Sequence, residues 1–354
     1  MAKLSVLTAL LGLLCAGVVG HPKTAEGKRA MLEAHGLVAA HSRRALGRCA
    51  DSAEAVALGE RAVARRAAQA DALRRERGIK TPLVRRAERS AFDKWAAVSH
   101  DASSRGYGLD TPMGSLFGCN TSAALVPETI IGPYFVEGER IRSDLADGQA
   151  GVRVHLDYQF IDINTCRPVP GLLVDVWHAN ATGVYSGVTA RGQGGLRTTH
   201  GRGVQRTDDD GVVQFDTVFP GHYAGRTNHF HVMSTGGATV LPNGTYQGGT
   251  AQHIGQTYFD DDLIRAVEAV EPYSRNKQPH MSNADDDFTA DEATADADPF
   301  MNYVYLGESP ADGLLMWMAI GIDPDADYND KKHAAAHWYP KGGVDLSHRR
   351  HRSG

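Results

Sequence analysis

The sequence predicts a mainly β chain, a β-sandwich preceded by an α-helical arm. Three observations point there. Residues 24–100 are dense in Ala, Leu, Arg and Glu and poor in β-branched residues, a composition suited to helices. From about residue 110, short runs alternate apolar and polar residues between Gly, Asp and Pro turns, the texture of a sandwich. Charge divides at the same place: residues 21–100 carry a net +8 and residues 101–354 a net −14 within a whole-chain charge of −5. With 42% hydrophobic and 22% charged residues over 354 positions, the composition excludes wholesale disorder.

Residues 1–20 have the pattern of a secretory leader: Lys3, an apolar run Leu4–Val19, and small residues before His21. The run is too short to span a bilayer comfortably, so the expectation is a secreted, extracellular protein, free of the membrane once the leader is removed. Cys49, Cys119 and Cys166 then remain, and an oxidising compartment pairs two of them. Cys119 with Cys166 is the expected pair because both flank the same core, although connectivity is not fixed by sequence. Sequons at Asn120, Asn180 and Asn243 suit a glycoprotein.

Residues 21–105 form the basic arm. Pro82 interrupts its helical pattern and Gly59 and Gly78 weaken it, so two or three helices are expected. Val56, Val63 and Ala70 recur at heptad spacing. Two readings stay open: an arm that joins two copies as a homodimer, or a propeptide or loosely packed arm with solvated arginines. Nucleic acid is not an expected partner, since no reading module accompanies the Arg pairs.

Residues 106–330 form the sandwich. Strands are expected at Val152–Tyr158, Leu172–Trp177, Val212–Phe215, His229–Met233 and Leu314–Ile322. Residues 283–298, with Asp285-Asp286-Asp287, read as a long exposed loop, and residues 331–354 as a tail ending in disordered basic residues. His200 and His253 read as surface residues.

The chemistry concentrates in three stretches. In Gly225-Arg226-Thr227-Asn228-His229-Phe230-His231, a strand puts His229 and His231 on one face, able to reach one metal ion. Upstream are Asp175-Val176-Trp177-His178-Ala179-Asn180 leading to Gly183-Val184-Tyr185-Ser186, and Gly132-Pro133-Tyr134. Two phenolates with two imidazoles make a hard, anionic donor set that favours Fe(III). Trp177 and His178 are expected to pack behind it, and His222 and Tyr223 either to touch the substrate or to form a polar turn.

These three motifs, in this order, resemble the intradiol ring-cleavage dioxygenases, most of all their secreted fungal branch, over roughly residues 110–325. The resemblance implies an intradiol-dioxygenase-like β-sandwich and a non-haem Fe(III) held by Tyr134, Tyr185, His229 and His231. It implies that Arg226 stabilises a carbanion-like substrate, that Gln256 assists, and that Tyr185 leaves the metal to accept a proton. The implied reaction is cleavage of a catechol-type diol by O2 to a cis,cis-muconate-type diacid. The sequence departs from the family in the long Gly/Arg-rich run at 190–203 and in Gly255 before Gln256. Two other readings are an Fe(II) oxygenase using His229, His231 and Asp216 or Asp208, and a secreted binding module without catalysis.

Overall fold

The computed structural model describes residues 24–79, 99–101, 122–123, 131–293 and 297–347. The leader, Cys119, Asn120 and residues 348–354 lie outside them. The arm contributes helix α1 (Ala25–Cys49) and helix α2 (Ala53–Glu76). Thr24 and Ser52 cap them, each accepting from a backbone N–H three residues on, at Gly27 and Ala55. Each helix buries one stripe at helical spacing: Met31, His35, Ala39, Ser42 and Ala45 in α1, and Leu58, Ala62, Arg66, Ala70 and Leu73 in α2.

Beyond the arm run β1 (Ser122–Ala123), β2 (Val136–Glu137), β3 (Arg153–Asp162), β4 (Leu173–Trp177), β5 (Arg202–Arg206), β6 (Val212–Val218) and β7 (Phe230–Gly236). A short hairpin, β8 (Thr239–Val240) and β9 (Tyr246–Gln247), leads into β10 (Thr250–Thr257). Helices α3 (Asp261–Glu268) and α4 (Asp287–Glu292) precede β11 (Asn302–Tyr305), β12 (Leu314–Ile322), β13 (Ala336–His337) and β14 (Val344–Asp345). The strands anticipated from alternation form within a few residues of their expected bounds.

Two sheets face each other. One has the order β1-β12-β3-β6, with β11 also on β12; the other is β10-β7-β4-β5. Strict alternation supplies the layer between them. Val154, Leu156, Tyr158 and Phe160 of β3 and Met316 and Met318 of β12 meet Val174 and Val176 of β4 and Phe230 and Val232 of β7. The fold is therefore mainly β, a sandwich with an N-terminal helical arm.

The arm lies on the outer face of the first sheet. Val63, Ala67, Ala70 and Leu73 pack on Leu315 and Trp317, while Val56 remains half exposed. Arg65 donates two hydrogen bonds to the wholly buried Asp157, Arg66 donates a third, and Arg61 pairs with Asp210. Arg65 and Arg66 are paired and covered rather than solvated, Arg61 is paired at the surface, and the opposite charges of arm and sandwich meet within one chain. Cys166 is disulfide-bonded, with its sulfur 3.8 Å from the Leu46 carbonyl of α1. Its expected partner, Cys119, falls among the residues not described.

Two segments differ from expectation. The described residues of 283–298 are not an exposed loop: they contain α4, and Asp286, Glu292 and Asp298 are buried. Residues 331–347, expected as a tail, add β13 and β14 to β2 and place Ala336 over the outer face of the second sheet. In both, partners distant in sequence overrule a polar composition.

Candidate metal centre

The pleat sets the site. Phe230 and Val232 point into the sandwich, so His231 points outward, and His229 joins it there from just before β7. Register adds the neighbours of His231: Trp177 of β4 lies opposite on one side and Gln256 of β10 on the other. The Trp177 ring stacks on His231 with centroids 4.8 Å apart and planes 2° from parallel. The glycines of the two tyrosine motifs have a physical cause. At Gly132 (φ +83°) a side chain meets the His231 ring at 3.1 Å, and at Gly183 (φ +77°) it meets the His222 carbonyl at 2.2 Å.

Three donors converge, with a fourth ring, Tyr134, alongside. His229 Nε2 lies 3.2 Å from His231 Nε2 and 3.4 Å from the Tyr185 hydroxyl, and the Tyr134 and Tyr185 rings are 4.7 Å apart. His229 Nδ1–H donates to the Thr227 carbonyl at 2.7 Å, which leaves Nε2 as the free lone pair. Burial, and then the Arg226 charge, hold both imidazoles well below their ordinary pKa and therefore neutral. Burial raises Tyr185 well above the ordinary phenol value, raises Tyr134, and lifts Tyr223 to about 12. Neutral imidazoles beside two phenols that ionise against a highly charged cation are the donors a hard ferric ion takes. The residues present fit Fe(III), and Tyr134, Tyr185, His229 and His231 are the ones that would hold it.

The carboxylate alternative does not assemble. Asp216 is on the other sheet, accepting from His155 Nδ1, and Asp208 accepts from Asp210 and Val212 in a turn. Among the described residues, no group of three His, Cys, Asp or Glu is placed to hold an ion.

Arg226 and Gln256 come together beside the donors, with Arg226 Nη2 donating to Gln256 Oε1 at 2.7 Å and to the Tyr258 hydroxyl at 3.2 Å. Arg226 Nε donates to Asp286 at 2.9 Å, and the Phe288 ring lies 4.0 Å from the guanidinium carbon. Tyr223 fills the space between Tyr134, Tyr185 and His229, with centroids 6.0, 5.4 and 5.6 Å away. His178 is buried and tied to the Ala179 carbonyl and Thr217, and His222 to Glu268 and the Gln278 carbonyl. His200 and His253, expected at the surface, are buried.

Comparison with known proteins finds similarity to ring-cleaving dioxygenases. Residues 130–239 match the family model described as Dioxygenase. A 6-chlorohydroxyquinol 1,2-dioxygenase of Cupriavidus pinatubonensis is 32% identical over 93 residues, 25% of this chain. The match spans about a third of that relative's length, 32%. An intradiol ring-cleavage dioxygenase from Tetranychus urticae is 28% identical, covering 57% of this chain and 96% of its own, with a TM-score of 0.47. The dioxygenase domain of a carbohydrate-binding fusion protein from Streptomyces sp. SirexAA-E is 25% identical over 54% of this chain and 94% of its own, with a TM-score of 0.35.

Sequence reasoning missed Asp286, Phe288 and Tyr258, and left Tyr223 open. Tyr258 had a local signal, standing two residues after Gln256, just past the end of β10. Asp286 and Phe288 had none, because an acidic run reads as solvated until its partner is known.

Proposed function

We propose that this protein is a non-haem Fe(III) intradiol dioxygenase that cleaves a catechol-type aromatic diol with O2. The observation that carries the reading is the convergence of His229, His231 and Tyr185, with Tyr134 alongside, beside the Arg226–Gln256 pair. The net reaction inserts both atoms of O2 between the hydroxylated carbons, turning the diol into a cis,cis-muconate-type diacid with no external reductant. Bound Fe(III) would supply Lewis acidity toward the diol oxygens and the redox coupling that lets the ring react with O2.

The chain's residues supply the rest. With the ion held, Tyr185 would be the base that takes one proton of the diol at its phenolic oxygen. Tyr134 stays as the permanent phenolate. Arg226 places a fixed positive charge where the ring develops carbanion character, and Gln256 holds Arg226 Nη2 in that pose. Trp177 fixes the His231 plane by stacking. Tyr223, Tyr258 and Phe288 line the same space with aromatic surface and exclude water.

Oxygen uptake across catechol, 4-substituted catechols, protocatechuate and hydroxyquinol tests this reading. The curated relative's name makes hydroxyquinol-type diols first probes. One O2 consumed per diol, with both labelled atoms of 18O2 in an acyclic diacid, is expected. No uptake by iron-loaded, folded protein on any of these diols overturns it. We also propose that the enzyme works outside the cell, a reading supported by the leader pattern of residues 1–20 and the disulfide at Cys166. A mature protein beginning near His21 is the expected result, and a retained Met1 contradicts it.

A further inference from the structure

Arg226 is not held by the sandwich alone. Its Nε and the backbone N–H of Thr227 both donate to one oxygen, Oδ2 of Asp286, at 2.9 and 2.8 Å. The other oxygen of the same carboxylate, Oδ1, accepts from Phe288 N at 2.9 Å and Thr289 N at 3.4 Å, so Asp286 is also the N-cap of α4. The first turn of α4 then lays the Phe288 ring across the guanidinium. Neighbouring bonds lock the same segment down. Thr227 donates to Asn283 Oδ1, and Asn283 donates to the Phe259 carbonyl. Asp286 is 1% exposed, so its charge is matched inside the protein, not by water.

One carboxylate thus performs two tasks with separate atoms: Oδ2 orients the arginine and Oδ1 starts the helix that covers it. We infer that Asp286 is a positioning residue for Arg226, and that docking of α4 and aiming of the guanidinium are a single event. A guanidinium on a long side chain has many rotamers, and its electrostatic effect on a reacting ring depends on holding one of them. Gln256 and Tyr258 hold Nη2, and Asp286 holds a second nitrogen, Nε, so the plane is fixed at two points. The rate effect of this inference rests on the ring-cleavage reading, whereas the coupling of the two residues does not.

Asp286→Asn separates the two tasks. It keeps Oδ1 for the α4 cap and replaces Oδ2 with an amide NH2 that cannot accept from Arg226 or Thr227. Its kcat on the best diol is expected to fall by about tenfold or more, with KM within about threefold. Iron content and the resting tyrosinate-to-iron absorption band should match the parent protein, because no donor atom is touched. In an Arg226→Gln background the same substitution is expected to cost less than about twofold more, since its target is gone. An unchanged kcat, iron and band lost in step with activity, or an equal cost in the Arg226→Gln background would each overturn the inference. If the Asn variant does not fold, Asp286→Ser, which keeps a capping oxygen, is read in the same way. If the parent protein cleaves no diol, the proposed function fails while the inference is still decided by melting temperatures. The Asp286→Asn and Arg226→Gln losses should then sum to more than the double variant's loss, and strict additivity would overturn the pairing.

Discussion

The two outer faces of the sandwich are both buried and both polar, but they handle buried polar groups in opposite ways. On the β3 face, Asp157 sits under α2 with three arginine hydrogen bonds and one from Gln214, and despite burial its carboxyl is held down at about 2. On the β7 face, His229, His231 and Tyr185 are equally buried, yet they turn donor atoms toward one another with no opposite charge among them. Paired charge is what a packing interface requires. Converging neutral donors are what an ion requires. The contrast singles out the β7 face as the one suited to an ion, without appeal to any relative.

Substitutions on each face sharpen the contrast. The largest effect is expected for His231→Ala, which removes a donor and the partner of Trp177. Iron affinity should fall by more than the roughly 10–100-fold typical of residues behind a metal ligand, and activity should vanish with the metal. Elemental analysis of purified protein checks this. Next comes Arg226→Gln: kcat/KM should drop by about 100-fold while iron content holds, as expected for a charge acting on the reacting ring. On the opposite face Asp157→Ala should invert the pattern. Stability should fall by about 3–5 kcal/mol, because Arg65 and Arg66 lose their buried partner, while the surviving folded enzyme keeps its turnover. Denaturant melts with activity normalised to iron separate the two outcomes.

The smallest effect is a pH dependence at His100. Burial pulls His100 down, but its bonds to Asp260 and Asp298 outweigh burial and raise it to about 10. A raised histidine stabilises the folded state fully below its unfolded value near 6.5 and loses that contribution as pH rises through the folded value. Melting temperature should therefore decline between pH 7 and 10 by a few degrees more in the parent than in His100→Gln, at about 2–4 °C per kcal/mol for a domain of this size. Parallel declines would contradict the assignment.

The legible features were local in sequence. The β12 bounds Leu314–Ile322 follow directly from an unbroken apolar run, and the pleat makes His229 and His231 neighbours before any fold is known. The motif order Gly132-Pro133-Tyr134, Gly183–Ser186, Arg226–His231 singled out four side chains that the structure sets next to one another. What stayed hidden depends on contacts distant in sequence. Asp286 differs from Asp285 and Asp287 only because Arg226, sixty residues away, reaches it. Asp298 is buried by His100, and residues 331–347 become strands by pairing with β2. Arg65 and Arg66 look like ordinary helix-surface arginines until Asp157 is set beneath them.

The central claim is that Tyr134, Tyr185, His229 and His231 bind one ferric ion. Visible absorption of iron-loaded protein tests it most directly. Tyrosinate-to-Fe(III) charge transfer should colour the protein red-brown, Tyr185→Phe and Tyr134→Phe should each shift or weaken the band, and Tyr246→Phe should leave it unchanged. A folded protein that binds Fe(III) without such a band, or whose band ignores both ligand substitutions, would contradict the account.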